Sequence, residues 1–551
     1  MTSRLYLSLC AALLGGVVLC GAAPVVAESC DSLRQHHGTD VVSVHCGGAP
    51  SATVDGNGRL WVAFVQNKHV WVAHSDDEGK TYSQPVQVNA TPEDAEYNGE
   101  NRPKILLSDE GYVLLSWTTK TSANFTGEIR FSRSTDGGVS FEEPRTINDD
   151  QLFTGHRFDS LFLTPSGTLY LTWIDKRDLE ARQAAGEPYA GAAIYYAVSG
   201  DYGATFSQNV RVSHNSCECC RIAMAPHGDD NVAILWRQIF DDHIRDHAIA
   251  VLGPTGEVSQ LNRATVDDWF IDACPHHGPT MVPAASEGSY HMSWFSAGNL
   301  HSGIHYARYD LDSGTTSNLI KVDGTPGAGH PFMARDGNRL YLVWKGFDGE
   351  NTLLNLMESV DDGGSWSQPR TLLTTARNSD HPLLIETARG VFLSWHTDQY
   401  GYVFQALEDP AVSDNIQPFG TGTFAQLKAG FQGRPFLVSL WSVDCPPCRL
   451  ELQMLGELMA EQPDFPLLLI STDDIQKRED ALFVLEDYNL DHIESYMFAD
   501  GFVERLRFSI DPGWYGELPR SYIHSADGQV EGHSGVLTRE RIDAAFHHRG
   551  H

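Results

Sequence analysis

Hydrophobic and polar residues alternate along the chain in a unit that recurs. Each copy, such as 159–173 (DSLFLTPSGTLYLTW), is an apolar strand, a polar turn and a second strand that closes on an aromatic residue. The closing aromatics are Phe64, Trp117, Trp173, Trp236, Trp294, Trp344 and Trp395. Alternation with a period of two predicts β-strands, and its recurrence every about 50 to 60 residues is typical of propeller blades. The pattern therefore predicts an all-β propeller of seven blades over residues 28–409.

A second motif, Ser-x-Asp-x-Gly-x-Ser/Thr-aromatic, lies between these units. Its copies occupy 75–82, 134–141, 199–206 and 359–366. In such a turn the Asp carboxylate accepts backbone N–H groups and Gly adopts a positive φ angle. The motif resembles the Asp-box, or bacterial neuraminidase repeat, of sialidase-like propellers. The resemblance implies that fold and carries little information about activity, because the turn lies on the outer part of a blade.

The seventh unit runs out of chain at Asp409 after three strands. Residues 40–45 (DVVSVH) form a short β-prone segment near the N-terminus. We expect this segment to supply the fourth strand, which would close the ring and remove exposed strand edges. Cys30 and Cys46 flank the segment and are candidates for a structural disulfide.

Arg, Cys and His residues gather where the innermost strands of the predicted propeller begin, on the face where ligands generally bind. Imidazole and thiolate groups are ligands that suit copper or zinc. The candidate ligands are His156, His276, His277, His330, His381, Cys217, Cys219, Cys220 and Cys274. Two alternatives stay open: these cysteines form structural disulfides, or the polar ring only lines a wet channel.

A glycan-binding or sialidase-like propeller is a further alternative. Sialidases bind the sugar carboxylate with three arginines and use a Tyr nucleophile with acidic partners. Arg102, Arg157 and Arg221 hold suitable positions for such a triad. The Phe/Tyr-Arg-Ile-Pro motif of true sialidases is missing, and those enzymes have six blades, so sialidase activity is not expected.

The composition changes after the propeller. Residues 410–423 are rich in Pro, Gly and Asp and predict a linker, and 424–551 follow a different pattern. There an apolar strand ends at Trp441, the sequence Cys445-Pro446-Pro447-Cys448 follows, and apolar residues then recur at helical spacing. A strand, a Cys-x-x-Cys motif and an amphipathic helix are the thioredoxin arrangement, in which the helix dipole lowers the pKa of the first cysteine.

This segment resembles the periplasmic thioredoxin-like reductases of the cytochrome c maturation type. The resemblance implies that Cys445 attacks a disulfide, that Cys448 resolves the mixed disulfide and that Pro519, as a cis-proline, shapes the substrate groove. It implies no cofactor for the redox pair. The supporting residues of the motif are Trp441, Asp444, Pro446, Pro447 and Glu451.

Two departures from these relatives affect the expected chemistry. Many relatives have an aromatic residue where this chain has Asp444, and a negative charge there would raise the pKa of the attacking thiol and disfavour acidic substrates. The apolar strand at 436–440 also lacks the buried acid that some relatives use to deprotonate the second cysteine.

Charge and the N-terminus define the setting. The formal net charge of −33 excludes a nucleic-acid binder, because such proteins neutralise phosphates with Lys and Arg. Residues 1–27 read as a signal peptide cleaved near Ala27, with lipidation at Cys20 as the alternative. We therefore expect a periplasmic or secreted protein with no transmembrane anchor after cleavage, in a compartment where disulfides persist.

These observations predict an exported thiol-disulfide oxidoreductase in which the propeller recognises a partner or ligand. Its expected partners are a protein disulfide or thiol substrate and a periplasmic or membrane thiol reductant. One alternative is a copper- or zinc-handling protein with a His/Cys site on the propeller axis. The other is a glycan-binding or sialidase-like propeller with an accessory redox domain.

Overall fold

A computed structural model describes residues 29–121, 125–187, 191–240, 243–407, 416–431, 433–462, 465–491, 493–499 and 502–547. The predicted signal peptide, residues 1–27, lies outside these ranges. Residues 410–415 of the predicted linker also lie outside them. The chain divides into two compact units, Met1–Gln405 and Ala406–His551. The regular secondary structure described in the first unit is almost entirely β-strand. None of the helices in the described ranges combines the length and apolar composition needed to cross a bilayer.

The described part of the first unit contains six antiparallel sheets. In these sheets, strands that follow one another in the sequence are mostly hydrogen-bonded neighbours. The first sheet has strands β1 (Gly48–Val54), β2 (Leu60–Gln66), β3 (His69–Ser75) and β4 (Val86–Gln87). The second has β5 (Lys104–Leu107), β6 (Val113–Lys120), β7 (Gly127–Ser134) and β8 (Arg145–Thr146).

The third sheet holds eight strands because the pair Ser216 and Gln238 joins two groups of four. Its first group is β9 (His156–Leu163), β10 (Leu169–Asp175), β11 (Ala192–Ser199) and β12 (Val210–Ser216). Its second group is β13 (Ala223–His227), β14 (Asn231–Phe240), β15 (Ile244–Leu252) and β16 (Asn262–Arg263).

The last three sheets continue the same pattern. They consist of β17 (Thr280–Pro283), β18 (Ser289–Ala297), β19 (Ser302–Asp310) and β20 (Thr315–Asp323); of β21 (Gly329–Asp336), β22 (Arg339–Phe347), β23 (Thr352–Ser359) and β24 (Arg370–Thr375); and of β25 (Leu383–Thr387), β26 (Gly390–Thr397) and β27 (Gly401–Ala406). The strands β1, β5, β9, β13, β17, β21 and β25 contact one another in this order, and β25 also contacts β1. Two short helices, α1 (Cys30–His37) and α2 (Arg177–Ala184), complete the described part of the unit.

The core of this unit lies between neighbouring sheets. The aromatics that close the sequence repeat are all buried there, and Trp117 of the second sheet shares a hydrophobic cluster with Val65 and Val70 of the first. Burying one large side chain contributes about 1.5–3 kcal/mol, so these contacts hold adjacent sheets together.

The Ser-x-Asp turns adopt the expected local structure. In the first copy, Asp77 accepts the Thr81 N–H at 2.8 Å, the Thr81 hydroxyl at 2.6 Å and the Ser75 hydroxyl at 2.8 Å. These hydrogen bonds, from the Thr81 hydroxyl first, lower the pKa of Asp77 to about 2. Gly79 has a φ angle of 84°, which an L-residue rarely adopts. Asp136, Asp201 and Asp361 accept the matching bonds in the other copies.

The prediction that residues 40–45 form a strand is wrong. The last sheet has three strands among the described residues, and residues 40–47 form irregular structure and a turn. The segment still lies against that sheet: Val44 is buried with Tyr402, and the His45 imidazole accepts the Tyr402 N–H at 3.2 Å. A turn closed by the hydrogen bond from the Cys46 N–H to the Ser43 carbonyl occupies the end of this segment, and side-chain packing takes the place of strand pairing.

The second unit is built on one mixed sheet, ordered β28-β31-β30-β29-β32-β33. Its strands are β28 (Ile416–Phe419), β29 (Phe436–Trp441), β30 (Leu467–Asp474), β31 (Ser495–Phe498), β32 (Arg520–His524) and β33 (Val530–Ser534). Its helices are α3 (Thr423–Gly430), α4 (Pro446–Glu461), α5 (Arg478–Asp487), α6 (Val503–Ile510) and α7 (Arg539–His547), with a 3-10 turn at Ile475–Lys477. Strand β28 lies inside the predicted linker, because Ile416 and Phe419 are buried and the strand pairs in parallel with β31.

Candidate functional site

The Cys-Pro-Pro-Cys sequence lies where β29 leads into α4. Cys445 caps the helix, and its Sγ accepts the Cys448 N–H at 3.2 Å. Pro446 and Pro447 occupy the first helical positions, which tolerate the missing N–H. A disulfide joins Cys445 to Cys448. Cys448 is fully buried whereas Cys445 is half-buried, so Cys445 is the sulfur that a partner can reach.

A buried carboxylate lies behind this pair. Glu451, one turn into α4, is 1 % exposed. Its Oε1 accepts the Ser439 hydroxyl at 2.8 Å and the Ser521 hydroxyl at 2.7 Å, and its Oε2 accepts the Leu537 N–H at 2.7 Å. Strand β29 has no acidic residue, so this buried carboxylate comes from helix α4. Glu451 links α4 to β29 and β32.

The residues around the disulfide have distinct surroundings. Asp444 is exposed and forms an ion pair with Lys477 at 3.0 Å, which offsets the negative charge that distinguishes this motif from its relatives. Trp441 is buried in the same hydrophobic cluster as Cys448. The Leu518–Pro519 peptide is cis and leads directly into β32, and Leu518 packs against that cluster too.

In the first unit, residues at or just before the starts of β13, β17, β21 and β25 converge on Glu100, which itself precedes β5. Its Oε1 accepts Nη1 of Arg221 at 3.0 Å and lies 3.1 Å from Nδ1 of His330 and 3.6 Å from Nδ1 of His381. Its Oε2 accepts the Gly278 N–H at 2.9 Å. Burial by itself raises the pKa of this carboxyl, but Arg221 and the two imidazoles hold the pKa well below its usual range.

Three imidazoles stack beside this carboxylate. The ring centroids of His330 and His381 are 3.5 Å apart, and those of His277 and His330 are 4.4 Å apart. Burial lowers the pKa of His277 to about 3 and that of His381 to about 4, and it also lowers the pKa of His330. We call Glu100, Arg221, His277, His330 and His381 the histidine cluster; its imidazoles are neutral at pH 7.

We expect the histidine cluster to make the protein acid-sensitive. An unfolded chain protonates histidine near pH 6.5, whereas His277 and His381 stay neutral in the folded chain down to about pH 4. The free energy of unfolding should therefore fall as the pH drops from about 6.5 to 4.5, by at most about 1.4 kcal/mol per pH unit for each such histidine. Urea unfolding across this range measures the slope.

The variant with both His277→Gln and His381→Gln is the matched comparison, because glutamine keeps polarity and does not titrate. Its unfolding free energy should change less steeply with pH than that of the unchanged protein. Equal slopes would show that these two side chains are not held neutral by the fold.

Four cysteines form a second cluster in this unit. The Sγ atoms of Cys217, Cys219 and Cys220 lie within 4.8 Å of one another, and those of Cys217 and Cys219 are 3.8 Å apart. All three side chains are buried, whereas Cys274 is exposed and its thiol interacts with that of Cys219. The Cys219 and Cys220 thiols, and Arg245 after them, lower the pKa of Cys217. These residues, named the cysteine cluster below, carry free thiols.

The predicted mixed His/Cys site is thus divided in two. Among the described residues, no histidine shares a ligand group with the cysteines. His156 is held apart, with Nδ1 at 2.9 Å from the Gly127 carbonyl and Nε2 at 3.0 Å from Asp150. His276 is exposed and bonds the carbonyl of Cys274. The structure also joins Cys30 to Cys46 by a disulfide.

The proposed arginine triad does not present free guanidinium groups. Each arginine forms an ion pair with a carboxylate of the chain itself: Arg102 with Asp380 at 2.8 Å, Arg157 with Glu96 at 2.7 Å and Arg221 with Glu100 at 3.0 Å. A sugar carboxylate would have to displace these partners. The assignment of the three arginines to a glycan carboxylate stays a prediction, and each already has an acidic partner within the chain.

Three residues outside the predicted site sets organise these sites: Glu100, Arg237 and Arg245. Glu100 opens the same predicted strand as Arg102, but only the fold shows that it contacts both Arg221 and His330. Arg237 and Arg245 occupy strands that read as ordinary core. An arginine within an apolar alternating strand was the available signal. Arginine is almost never fully buried without a partner, so such a position indicates a buried polar contact.

Comparisons with known proteins give sequence matches and structural matches of limited extent. No protein-family model matches the chain. Over 117 residues, or 21% of the chain, it is 27% identical to the thiol:disulfide interchange protein DsbE of Escherichia coli K12, and the same holds for DsbE of Shigella flexneri. The match covers 58% of DsbE, so the chain spans less than two thirds of the length of these relatives.

The chain also resembles solved structures at low identity. An ulvan lyase of family PL25 is 13% identical with a TM-score of 0.43, and the alignment covers 66% of this chain and 96% of the lyase. The α-L-arabinanase of Penicillium chrysogenum is 13% identical with a TM-score of 0.39, covering 56% and 92%. A secreted disulfide oxidoreductase of Mycobacterium tuberculosis is 20% identical with a TM-score of 0.18, covering 21% and 83%.

Proposed function

We propose that this protein is an exported thiol-disulfide oxidoreductase whose second unit is a thioredoxin-like domain of the cytochrome c maturation type. The observation that carries the proposal is the Cys445–Cys448 disulfide at the start of α4, with one sulfur accessible and the other buried. The helix N-terminus stabilises a thiolate on Cys445 once the disulfide is reduced. The match to DsbE over 117 residues supports the same chemistry.

In the proposed reaction, the Cys445 thiolate attacks one sulfur of a partner disulfide and releases the other as a thiolate. The mixed disulfide so formed is attacked by Cys448, which completes the Cys445–Cys448 disulfide and frees the second partner sulfur. Two electrons pass from the protein to the partner. A thiol reductant, periplasmic or in the membrane, returns them by the reverse exchange, and no cofactor takes part.

We further propose that the first unit is a closed seven-bladed, sialidase-like propeller that selects the partner. Splitting the eight-stranded sheet at the Ser216 and Gln238 pair gives seven groups of strands. Their innermost strands contact one another in sequence, from β1 to β25 and back to β1. The proposed location is the periplasm or the exterior, after cleavage near Ala27.

Trapping the mixed disulfide tests the proposed order of attack. Cys448→Ser leaves the accessible thiol but removes the one that resolves the intermediate. When it is incubated with insulin whose disulfides are intact, this variant should form a disulfide-linked adduct. The adduct should be stable on a non-reducing gel and disappear with dithiothreitol.

The matched control is Cys445→Ser, which keeps only the buried thiol and should give no adduct. If Cys445→Ser traps insulin as well as Cys448→Ser does, the assignment of Cys445 as the attacking thiol is wrong. If neither variant traps it, the proposed exchange reaction is wrong.

A further inference from the structure

The proposed redox reaction uses Cys445 and Cys448 of the second unit, and it assigns no step to the cysteine cluster of the first unit. Three of its thiols are buried, and the fourth, on Cys274, comes from a loop far along the chain. Convergence of four such side chains from two separate segments is not explained by packing alone, since a thiol fills little volume and is chemically reactive.

The spacing of the sulfur atoms matches that of a metal site. Four sulfurs placed about 2.3 Å from one tetrahedral ion are about 3.8 Å from each other. The Sγ atoms of Cys217 and Cys219 are separated by 3.8 Å, and Cys220 completes a triangle whose sides do not exceed 4.8 Å. Cys274 is not a member of this group of three, but its thiol interacts with that of Cys219.

Two buried arginines lie beside the cysteine cluster. Nη1 of Arg245 donates to Sγ of Cys217 at 3.1 Å, and Arg245 is 2 % exposed. Arg237, which is also buried, donates to the Arg245 carbonyl and adds a second positive charge near Cys217. Two buried guanidinium groups offset the negative charge that several thiolates around one ion would leave.

We propose that Cys217, Cys219, Cys220 and Cys274 bind a single d10 metal ion, Zn²⁺ or Cu⁺, through their thiolates. An all-sulfur ligand set excludes magnesium and calcium, which require oxygen ligands, and suits these two soft or borderline ions. Because three ligands are buried and Cys274 is exposed, the Cys274 position is where the ion enters and leaves.

Metal analysis of the full chain, expressed without a histidine tag and purified under anaerobic reducing conditions, tests this proposal. After incubation with Zn²⁺ or Cu⁺ in separate arms and removal of loose ions by a weak chelator, we expect about one ion per chain. Replacement by Co²⁺ should produce sulfur-to-cobalt charge-transfer absorption, which reports thiolate ligands directly. Each loaded sample is then challenged with a series of stronger chelators. The ion that resists the stronger chelator is identified as the preferred metal.

Matched variants locate the ion. Cys217→Ser with Cys219→Ser should abolish binding, and the exposed Cys274→Ser, which leaves the core intact, should weaken binding and blue-shift the cobalt absorption. Two control variants, Cys445→Ser with Cys448→Ser and His330→Gln with His381→Gln, should keep the ion and thereby exclude the redox pair and the histidine cluster as its ligands.

Three results would overturn the proposal: no retained ion in either arm, unchanged binding in the Cys274→Ser variant, or a disulfide within the cluster under the anaerobic conditions. Insulin reduction is measured on the same samples. Because it depends on Cys445, failure of the metal site leaves that activity unchanged.

Discussion

Cys445→Ser should abolish catalysed insulin reduction, leaving only the rate given by dithiothreitol alone. A serine hydroxyl cannot form a disulfide, and Cys448 is fully buried and cannot replace Cys445 as the attacking group. The measurement is the turbidity of reduced insulin as a function of time, with purified full-length protein and the same reductant throughout. The loss is expected to be complete because no other step of the proposed exchange can begin.

The matched control is Cys274→Ser, which removes the exposed thiol of the first unit. Its insulin reduction should equal that of the unchanged protein. If Cys445→Ser retains activity and Cys274→Ser loses it, the thiol chemistry belongs to the cysteine cluster and the proposed function is wrong.

The sheets of the first unit were predictable from the sequence because the strand pairs of each repeat form between residues close together in the chain. A strand pair, a Gly turn and a buried tryptophan occur together within a short segment, as around Trp173. Strand pairing over long sequence separation was less predictable. Residues 40–45 contain β-branched residues, but the backbone turns between Ser43 and Cys46, and Val44 packs in a cluster with Tyr402.

The candidate sites show the same limit. Strand periodicity placed His277, His330 and His381 on one face, and the structure stacks them. Strand periodicity could not indicate that His156 would instead contact Asp150, because that contact depends on the conformation of a loop. In the second unit the strand, the Cys-x-x-Cys motif and the helix were evident, whereas the partners of Glu451 come from three separate segments.

Glu451→Ala should destabilise the second unit more than any nearby surface change. The substitution leaves the Ser439 hydroxyl, the Ser521 hydroxyl and the Leu537 N–H without their acceptor in a buried site. Each unsatisfied buried donor costs roughly 1–3 kcal/mol, so the free energy of opening should fall by at least about 3 kcal/mol. Hydrogen exchange of the backbone amides in β29 and β30 measures this opening in the intact chain.

Two variants separate the hydrogen-bond network from helix effects. Glu457→Ala changes an exposed residue of the same helix and should alter the opening free energy by no more than about 0.5 kcal/mol. Glu451→Gln keeps an acceptor for Leu537, and its amide can donate to the two serine hydroxyls if they rotate, so its effect should lie between the other two. If Glu451→Ala and Glu457→Ala have equal effects, the buried carboxylate does not link α4 to the sheet.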